Sequence, residues 1–231
     1  WWLGLPSSSS HALVGGLIGA VSYQVGNLEE GVQWLNVLQK VVIPGLIAPV
    51  LAIVVGYLLM AVLMWSLHLL KPNPANVNNR FRWVQRFSAA TMAFSHGTAD
   101  AQKVMGIITL ALVTAGVQKE FHVLPWVKAS CALMISLGTS AGGWRIIRTM
   151  GGKIFKLQPV HGFAADITSS MLLQVTAHFG MPLSTTHVLT GAIMGVGASK
   201  RVSAVRWGVA KRILAAWVFT IPASAAVGAL S

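Results

Sequence analysis

Residues 41–70 form a run of thirty residues without a single Lys, Arg, Asp or Glu. A helix that crosses a bilayer needs about 20 consecutive, mostly apolar residues. This run is long enough to cross with some tilt. Pro44, Pro49 and Gly56 lie inside it and favour a kink or a tilt. The run therefore predicts a membrane-spanning helix, and it sets the class of protein to which the chain belongs.

The composition of the whole chain agrees with that class. Hydrophobic residues make up 55% of the 231 residues and charged residues only 10%, whereas soluble domains carry about a quarter charged residues. Such a chain cannot cover a soluble fold with polar side chains, which excludes a soluble enzyme and a disordered tail. Cys131 is the only cysteine, so the chain has no internal disulfide. The chain begins Trp1-Trp2 without a charged segment, and we expect the start of a longer protein to be missing.

Apolar runs recur along the chain, and we predict an all-α, multi-pass membrane protein with six or seven transmembrane or re-entrant helices. The first and sixth runs are short and rich in glycine, so each is either a tilted span, a broken helix or a re-entrant hairpin. The predicted runs are residues 8–25, 41–70, 88–117, 124–143, 160–179, 183–199 and 213–230.

The net charge of +12 could indicate nucleic-acid binding, but the positions of the basic residues favour another interpretation. Thirteen of the seventeen lie in three clusters between apolar runs: Lys71, Arg80, Arg82 and Arg86; Arg145, Arg148, Lys153 and Lys156; Lys200, Arg201, Arg206, Lys211 and Arg212. Basic loops beside membrane spans stay in the cytoplasm. Two spans separate each cluster from the next, so all three can be cytoplasmic. The intervening loops then face outward and hold Glu29, Glu30 and Glu120.

Two segments of the chain repeat one pattern. Residues 6–19 and 182–195 share P-x-S-[ST]-[ST]-H-x-L-x-G-[GA]-[LI]-[IM]-G. By the span count the first copy runs outward and the second runs inward, so the copies are antiparallel. Such inverted repeats are typical of secondary transporters, whose sites lie near the membrane midplane at interrupted helices. Pro followed by Ser and Thr favours a helix start, where free N–H groups attract anions.

The hydroxyl groups of the two copies are Ser8, Ser9 and Ser10 in the first and Ser184, Thr185 and Thr186 in the second. For one such run alone, hydrogen bonds within or between helices would be the simpler explanation, and the duplication favours a binding role. His11 and His187 occupy the same place in both copies. Each histidine either contacts a substrate or ion, or donates to a backbone carbonyl.

The chain has only two aspartates, and both lie in membrane-length runs. An ionisable group at depth costs several kcal/mol unless it is paired or solvated, so both are candidate functional residues. Asp100 lies in the segment 96–103, which also holds the polar residues His96, Thr98, Gln102 and Lys103. Gly97 in this segment favours a helix break. A structural pair with Lys103, three residues on, is the alternative. Asp166 is either an ion or proton site, or a partner of His161 or His178.

These residues carry a resemblance to a known family, the inorganic phosphate transporters of the PiT type. Residues 96–106 resemble its H-G-x-N-D-A-Q-K-x-M-G signature, and residues 182–187 resemble its P-x-S-T-T-H element. Residues 142–145 and 162–165 also match in order and spacing. The resemblance runs from about residue 6 to the end of the chain. It implies symport of inorganic phosphate with H⁺ or Na⁺, and in bacteria the substrate can be a neutral metal–phosphate complex.

The resemblance also implies roles for individual residues. It makes Asp100 an ion- and phosphate-site residue and gives Lys103 an anion-balancing role. Asp166 lies where the family places a glutamate implicated in coupling. The further residues implied to contact phosphate or the coupling ion are Gly97, Thr98, Ser184, Thr185, Thr186, Ser8, Ser9 and Ser10. No metal ligand and no cofactor besides the coupling ion is implied.

The chain departs from the family pattern at three places. Ala99 stands where the family has asparagine, whose amide can bind both phosphate and a cation. Asp166 is one methylene shorter than glutamate. The first G-x-N-D element is expected upstream of residue 1. Residues 1–25 are therefore interpreted as the end of a truncated first repeat, residues 26–86 as connecting spans and a cytoplasmic basic loop, and residues 87–231 as the second repeat.

The function that the resemblance implies is phosphate symport by a multi-pass protein of the cell membrane, with a bacterial inner membrane as the expected location. The expected partners are inorganic phosphate and the lipid bilayer, and nucleic acid is not expected. A homodimer is one assembly that the sequence allows. Two alternatives stay open: a transporter of another oxyanion such as sulfate, and an inactive membrane fragment that lacks half of the site. No nucleophile–base or metal-ligand spacing supports an enzyme.

Overall fold

The computed structural model describes residues 4–26, 31–179, 181 and 183–230. Throughout these residues the regular secondary structure is helical, which confirms the all-α prediction. The helices are α1 (Ser9–Val25), α2 (Trp34–Leu70), α3 (Pro74–Thr114), α4 (Pro125–Ala141), α5 (Trp144–Arg148), α6 (Pro159–His178), α7 (Thr185–Lys200) and α8 (Trp207–Gly228). Glu29, Glu30 and Pro182, which entered the predictions above, lie outside the described residues.

Short non-α turns interrupt or extend these helices. A π-helical turn, Leu38–Val42, lies within α2, and a second, Thr149–Lys153, continues α5. A 3₁₀ turn, Val202–Ala204, connects α7 to α8. Pro49 lies inside α2 without ending it.

In the described part of the chain, α2 and α8 are long and apolar enough to cross a bilayer by themselves. With a rise of 1.5 Å per residue, the 37 residues of α2 extend about 55 Å. Leu46, Val50 and Val62 on α2 are each more than half exposed. An apolar helix surface of this kind requires an apolar environment rather than water around it. The other predicted spans are helical but do not pass this test of length and hydropathy.

Helix α3 differs from the prediction in two ways. It begins at Pro74 and runs unbroken for 41 residues, so Arg80, Arg82 and Arg86 lie on a helix and not in a loop. It also continues through Gly97, where a helix break was predicted, and that prediction is wrong. A glycine inside a helix costs only about 1 kcal/mol relative to alanine, and the hydrogen bonds on both sides of Gly97 keep the helix intact.

Glycines bring α1 against α8 and α7 against α2. A Cβ atom on Gly19 would lie 1.9 Å from the carbonyl oxygen of Ala225, and one on Gly195 would lie 2.1 Å from that of Ile53. Only glycine allows this approach of two backbones, which is the known use of G-x-x-x-G pairs in membrane helices. The two pairs, Gly15 with Gly19 and Gly191 with Gly195, occupy equivalent positions in the repeated segment.

The contacts of the two copies correspond residue by residue. Gly15 packs on Ile221 and Gly19 packs on Ala225, four residues further along α8. Gly191 packs on Pro49 and Gly195 packs on Ile53, four residues further along α2. Each copy of the repeated segment therefore packs on the helix that follows the other copy in sequence.

Helix α6 positions the centre of the molecule, because it packs against α3, α7 and α2. Its small side chains Ala164 and Ala165 are buried and allow close approach by its neighbours. They join a core that includes Val188 and Ile193 of α7. The start of α7 is thereby held beside the middle of α3.

Candidate functional site

The N-termini of α1 and α7 have the same local structure. Ser8 precedes α1 and its hydroxyl accepts a hydrogen bond from the backbone N–H of His11 at 3.2 Å. Ser184 precedes α7 and accepts in the same way from His187 at 3.4 Å. Both serines are buried. They are N-cap residues, so the repeated sequence produces two equivalent helix starts.

These two helix starts contact each other. The hydroxyl of Thr186 donates to the carbonyl oxygen of Ser7 at 3.1 Å. The rings of His11 and His187 lie edge to face with their centroids 4.7 Å apart. A helix N-terminus carries partial positive charge and unused N–H groups. Two such termini at one place form a region that favours an anion.

The two predicted histidines also have structural contacts. Nδ1 of His187 lies 3.1 Å from the carbonyl oxygen of Gly45 on α2, which is the carbonyl contact considered above as the alternative to a ligand role. The His187 ring stacks on Trp217 of α8 at 3.7 Å. The histidines thus join α1 and α7 to the two helices on which they pack.

Lys103 on α3 connects the two helix starts. Its Nζ donates to Oγ of Ser10 at 2.6 Å and to the carbonyl oxygen of Leu183 at 3.0 Å. It also donates to Oδ1 of Asp100 at 3.0 Å. The Lys103 side chain is only 14% exposed. These three oxygens therefore replace the water that would otherwise stabilise its positive charge.

Asp100 has partners besides Lys103. Its Oδ2 accepts from the hydroxyl of Ser9 at 3.2 Å and lies 3.4 Å from Nε2 of His96. The ion pair with Lys103 considered as a structural alternative is therefore present, and it belongs to a larger network. That network holds together α3 and the starts of both repeated helices.

Gly97 and Thr98, which were predicted to belong to the same site, lie elsewhere on α3. Residues 96, 100 and 103 share one helix face, whereas Gly97 and Thr98 line a cavity of about 390 Å³ together with Lys128 and Ser136 of α4. The hydroxyl of Thr98 donates to the carbonyl oxygen of Phe94 inside α3. Asp100 does not line this cavity.

Asp166 on α6 faces α3. Its Oδ2 accepts a hydrogen bond from Ser88 at 2.9 Å. The two histidines considered as partners have other contacts: Nδ1 of His161 accepts from the backbone N–H of Gln158, and His178 lies against Phe179. Asp166 thus pairs with a serine that the sequence analysis did not select.

One cavity of about 320 Å³ contains parts of both aspartate regions. Its walls include Asp166 from α6, His96 from α3, and Thr185 and Thr186 from the start of α7. Gln85 of α3 completes its polar wall. The cavity therefore combines a carboxylate, an imidazole and the hydroxyls of one helix start.

Sequence reasoning missed a row of polar side chains on α3. Gln85, Ser88 and Ser95 lie on the side of α3 that packs on α6, where Ser95 accepts from Gln174 at 3.1 Å. Their spacing of three and seven residues is that of one helix face. The spacing of Ser88 and Ser95 within the apolar run 88–117, continued by Gln85 just before that run, was the signal that could have identified them.

Ala99 lies at a second, smaller cavity. The cavity has a volume of about 190 Å³ and is also lined by Gln102, Lys103, Thr176 and Met181. The short side chain of Ala99 leaves this space open beside the Lys103 ammonium group. Space next to a buried cation can be filled by water or by part of an anion.

A family model described as the phosphate transporter family matches residues 1–228. A Bacillus subtilis (strain 168) protein described as a probable low-affinity inorganic phosphate transporter is 42% identical over 233 residues. A Mycobacterium leprae (strain TN) protein with the same description is 46% identical over 235 residues.

The alignments cover all of this chain but only part of each relative. The chain spans 68% of the Bacillus protein and 55% of the Mycobacterium protein. A solved structure described as the sodium-dependent phosphate transporter aligns with a TM-score of 0.80 and 23% identity, over 98% of this chain and 73% of that one. At that identity the match shows that the two chains share a fold.

Proposed function

Because the chain belongs to the phosphate transporter family, we propose that it binds inorganic phosphate and moves it across a membrane together with H⁺ or Na⁺. Its relatives are transporters and not enzymes, in agreement with the absence of catalytic spacing in the sequence. Several finer features are parts of this proposal: the phosphate substrate, the coupling ion, the bacterial inner membrane and transport of a metal–phosphate complex.

The observation that carries the proposal is the meeting of two capped helix starts beside the Asp100–Lys103 pair. Phosphate at neutral pH is an anion that accepts many hydrogen bonds, and burying it requires donors and compensating charge. The N–H groups and hydroxyls at the starts of α1 and α7, together with the Lys103 ammonium group, supply both. In this proposal, hydroxyls and the ammonium group that now donate to protein oxygens exchange those bonds for the phosphate. We place the phosphate against these donors.

Asp100 and Asp166 supply the other half of the mechanism. A carboxylate repels phosphate unless a cation lies between them. A bound Na⁺ or H⁺ offsets the charge of both, so the site holds phosphate well only when the cation is present. This mutual dependence is the physical basis of coupling. We assign Asp100 to the cation that lies beside the phosphate. We assign Asp166, which shares a cavity with Thr185, to binding of the coupling ion.

The equivalent packing of α1 on α8 and of α7 on α2 supports an inverted repeat. Transporters built from such repeats expose a fixed midplane site alternately to the two sides by rocking one repeat against the other. We propose that residues 1–25 end the first repeat, that residues 26–86 connect the two, and that residues 87–231 form the second. The substrate site then lies where α1 and α7 begin.

Uptake by the protein reconstituted in liposomes tests the function. We expect concentrative uptake of radiolabelled phosphate when an inward Na⁺ gradient or an inward H⁺ gradient is imposed, and which gradient drives it identifies the coupling ion. Excess unlabelled phosphate should compete and excess sulfate should not. Equal competition by sulfate would indicate a general oxyanion transporter. Equilibration of phosphate without accumulation under either gradient would contradict symport.

The hydroxyls at the start of α7 provide a sharper test. Replacing both Ser184 and Thr185 with alanine should raise the apparent KM for phosphate about tenfold, since a hydrogen bond to a charged group contributes about 1.5–3 kcal/mol. Ser199→Ala is the matched control, because its hydroxyl bonds the Val196 carbonyl within the same helix. Initial uptake rates over a range of phosphate concentrations measure both. An unchanged KM in the double variant would mean that these hydroxyls only start the helix.

A further inference from the structure

A long apolar groove separates α2 from α8. Its volume is about 630 Å³. Its walls come from Leu46 and Val50 on α2 and from Leu214, Val218 and Ile221 on α8. Trp207 and Lys211 lie at one end, and the His11–His187 pair lies on its inner side. The proposed transport mechanism makes no use of this groove.

We propose that an anionic phospholipid binds in this groove, with an acyl chain against the walls of α2 and α8 and its phosphate group beside Lys211. The groove is formed by the two helices that qualify as membrane spans among the described residues. Lipid molecules of the surrounding bilayer can therefore enter the groove from the side.

The dimensions of the groove suit an acyl chain. From Trp207 to Ile221 it follows α8 for fourteen residues, or about 21 Å at 1.5 Å per residue. Half of a bilayer's hydrocarbon core is about 15 Å thick. An acyl chain of one leaflet can therefore lie along the groove with its headgroup near the Trp207 end.

A helix suits this groove less well than an acyl chain does. A helix of that length, about 10 Å wide, has a volume of about 1,600 Å³, so only part of it would seat in a groove of about 630 Å³. A flexible hydrocarbon chain can lie within the groove along its length.

Charge at the end of the groove selects an anionic headgroup. Lys211 lines the groove within residues 200–212, which carry five basic residues and no acidic residue. A Lys or Arg near the membrane surface attracts anionic lipid with about 1 kcal/mol. Trp207 provides the amphipathic ring that is typical of the membrane interface. The chemistry recognised at this end is therefore a lipid phosphate with net negative charge.

The test measures lipid that stays bound. The protein is reconstituted with equal amounts of phosphatidylglycerol and phosphatidylethanolamine and extracted with mild detergent, and retained lipid is quantified by mass spectrometry. We expect wild-type protein to retain phosphatidylglycerol preferentially. Lys211→Glu should reduce this retention about fivefold or more, as expected for the loss of one favourable charge. Leu214→Trp, which fills the groove, should reduce retention of both lipids.

Two controls match these variants. Arg212→Glu makes the same charge change one residue away, at a side chain that does not line the groove, and Phe219→Trp enlarges an exposed residue outside it. Both should retain lipid as wild type does. Equal losses in Lys211→Glu and Arg212→Glu, or wild-type retention by a folded Leu214→Trp variant, would overturn the proposal. Isolation of the wild-type protein as a dimer without bound lipid would overturn it as well, because a second copy would then be the occupant of the groove.

Discussion

Replacing Asp100 with asparagine is expected to abolish concentrative phosphate uptake while the protein still folds and inserts. The two side chains have nearly the same shape, so packing is kept, but the charge opposite Lys103 and His96 is lost. Lys103 then holds an uncompensated charge in a nearly buried position. Removing one partner of a buried ion pair costs about 3–5 kcal/mol, and the cation that offsets the phosphate charge loses its ligand.

The measurement is the initial rate and final level of phosphate uptake in liposomes under an imposed Na⁺ or H⁺ gradient. We expect a loss of about a hundredfold or more in the uptake rate, which corresponds to about 2.7 kcal/mol in the barrier to transport. Glu120→Gln is the matched control, because Glu120 is an exposed acidic residue in the segment between α3 and α4. Gel filtration and thermal melting should show both variants folded. Accumulation by Asp100→Asn at the wild-type level would remove Asp100 from the site.

The second large effect is expected at the contact of α7 with α2. In Gly195→Leu the new Cβ would lie 2.1 Å from the carbonyl oxygen of Ile53, and backbone on both sides cannot move aside as a flexible side chain would. Overpacking of a tight core costs about 1–3 kcal/mol and more when backbones must separate. Because α7 carries Ser184, Thr185 and Thr186 at its start, we expect the loss of both stability and uptake.

The thermal midpoint and the monodisperse fraction in detergent measure this loss. Gly138→Leu is the control, since a Cβ on Gly138 of α4 meets nothing within 4 Å. It tests whether a larger side chain in a membrane helix is harmful in itself. A Gly195→Leu variant that is as stable and as active as Gly138→Leu would show that α7 and α2 can pack differently.

The repeated segments made the helix starts predictable, but the sequence did not show which helices they pack on. Ser8 and Ser184 were identifiable because an N-cap is a local feature. The glycines Gly19 and Gly195 stood in the same pattern. Their partners, Ala225 and Ile53, were not identifiable. A glycine surface can pack on almost any helix whose backbone is accessible, so the sequence does not specify which helix that is.

The site on α3 was predictable in part for a similar reason. Asp100 and Lys103 were selected because charge is costly inside a membrane, and both lie in the network. Gly97 and Thr98 were included because they belong to the same motif, although a helix turns adjacent residues to different faces. A spacing of three and four residues separates Thr98 from His96, Asp100 and Lys103. Gly97, three residues before Asp100, has no side chain that could reach the site. The contact of Ser88 with Asp166 joins two helices, and no local pattern predicts it.

The packing of α1 on α8 has a consequence for biosynthesis. Gly19 and Ala225 touch, yet 206 residues separate them in sequence, and a ribosome adding about 5–20 residues per second needs about 10–40 s to make that length. Helix α1 therefore enters the bilayer long before its partner exists and keeps its glycine surface unmatched meanwhile. Helix α7, in contrast, emerges when α2 is already in place. The order of assembly is thus the reverse of the order of synthesis, with the second copy docked before the first.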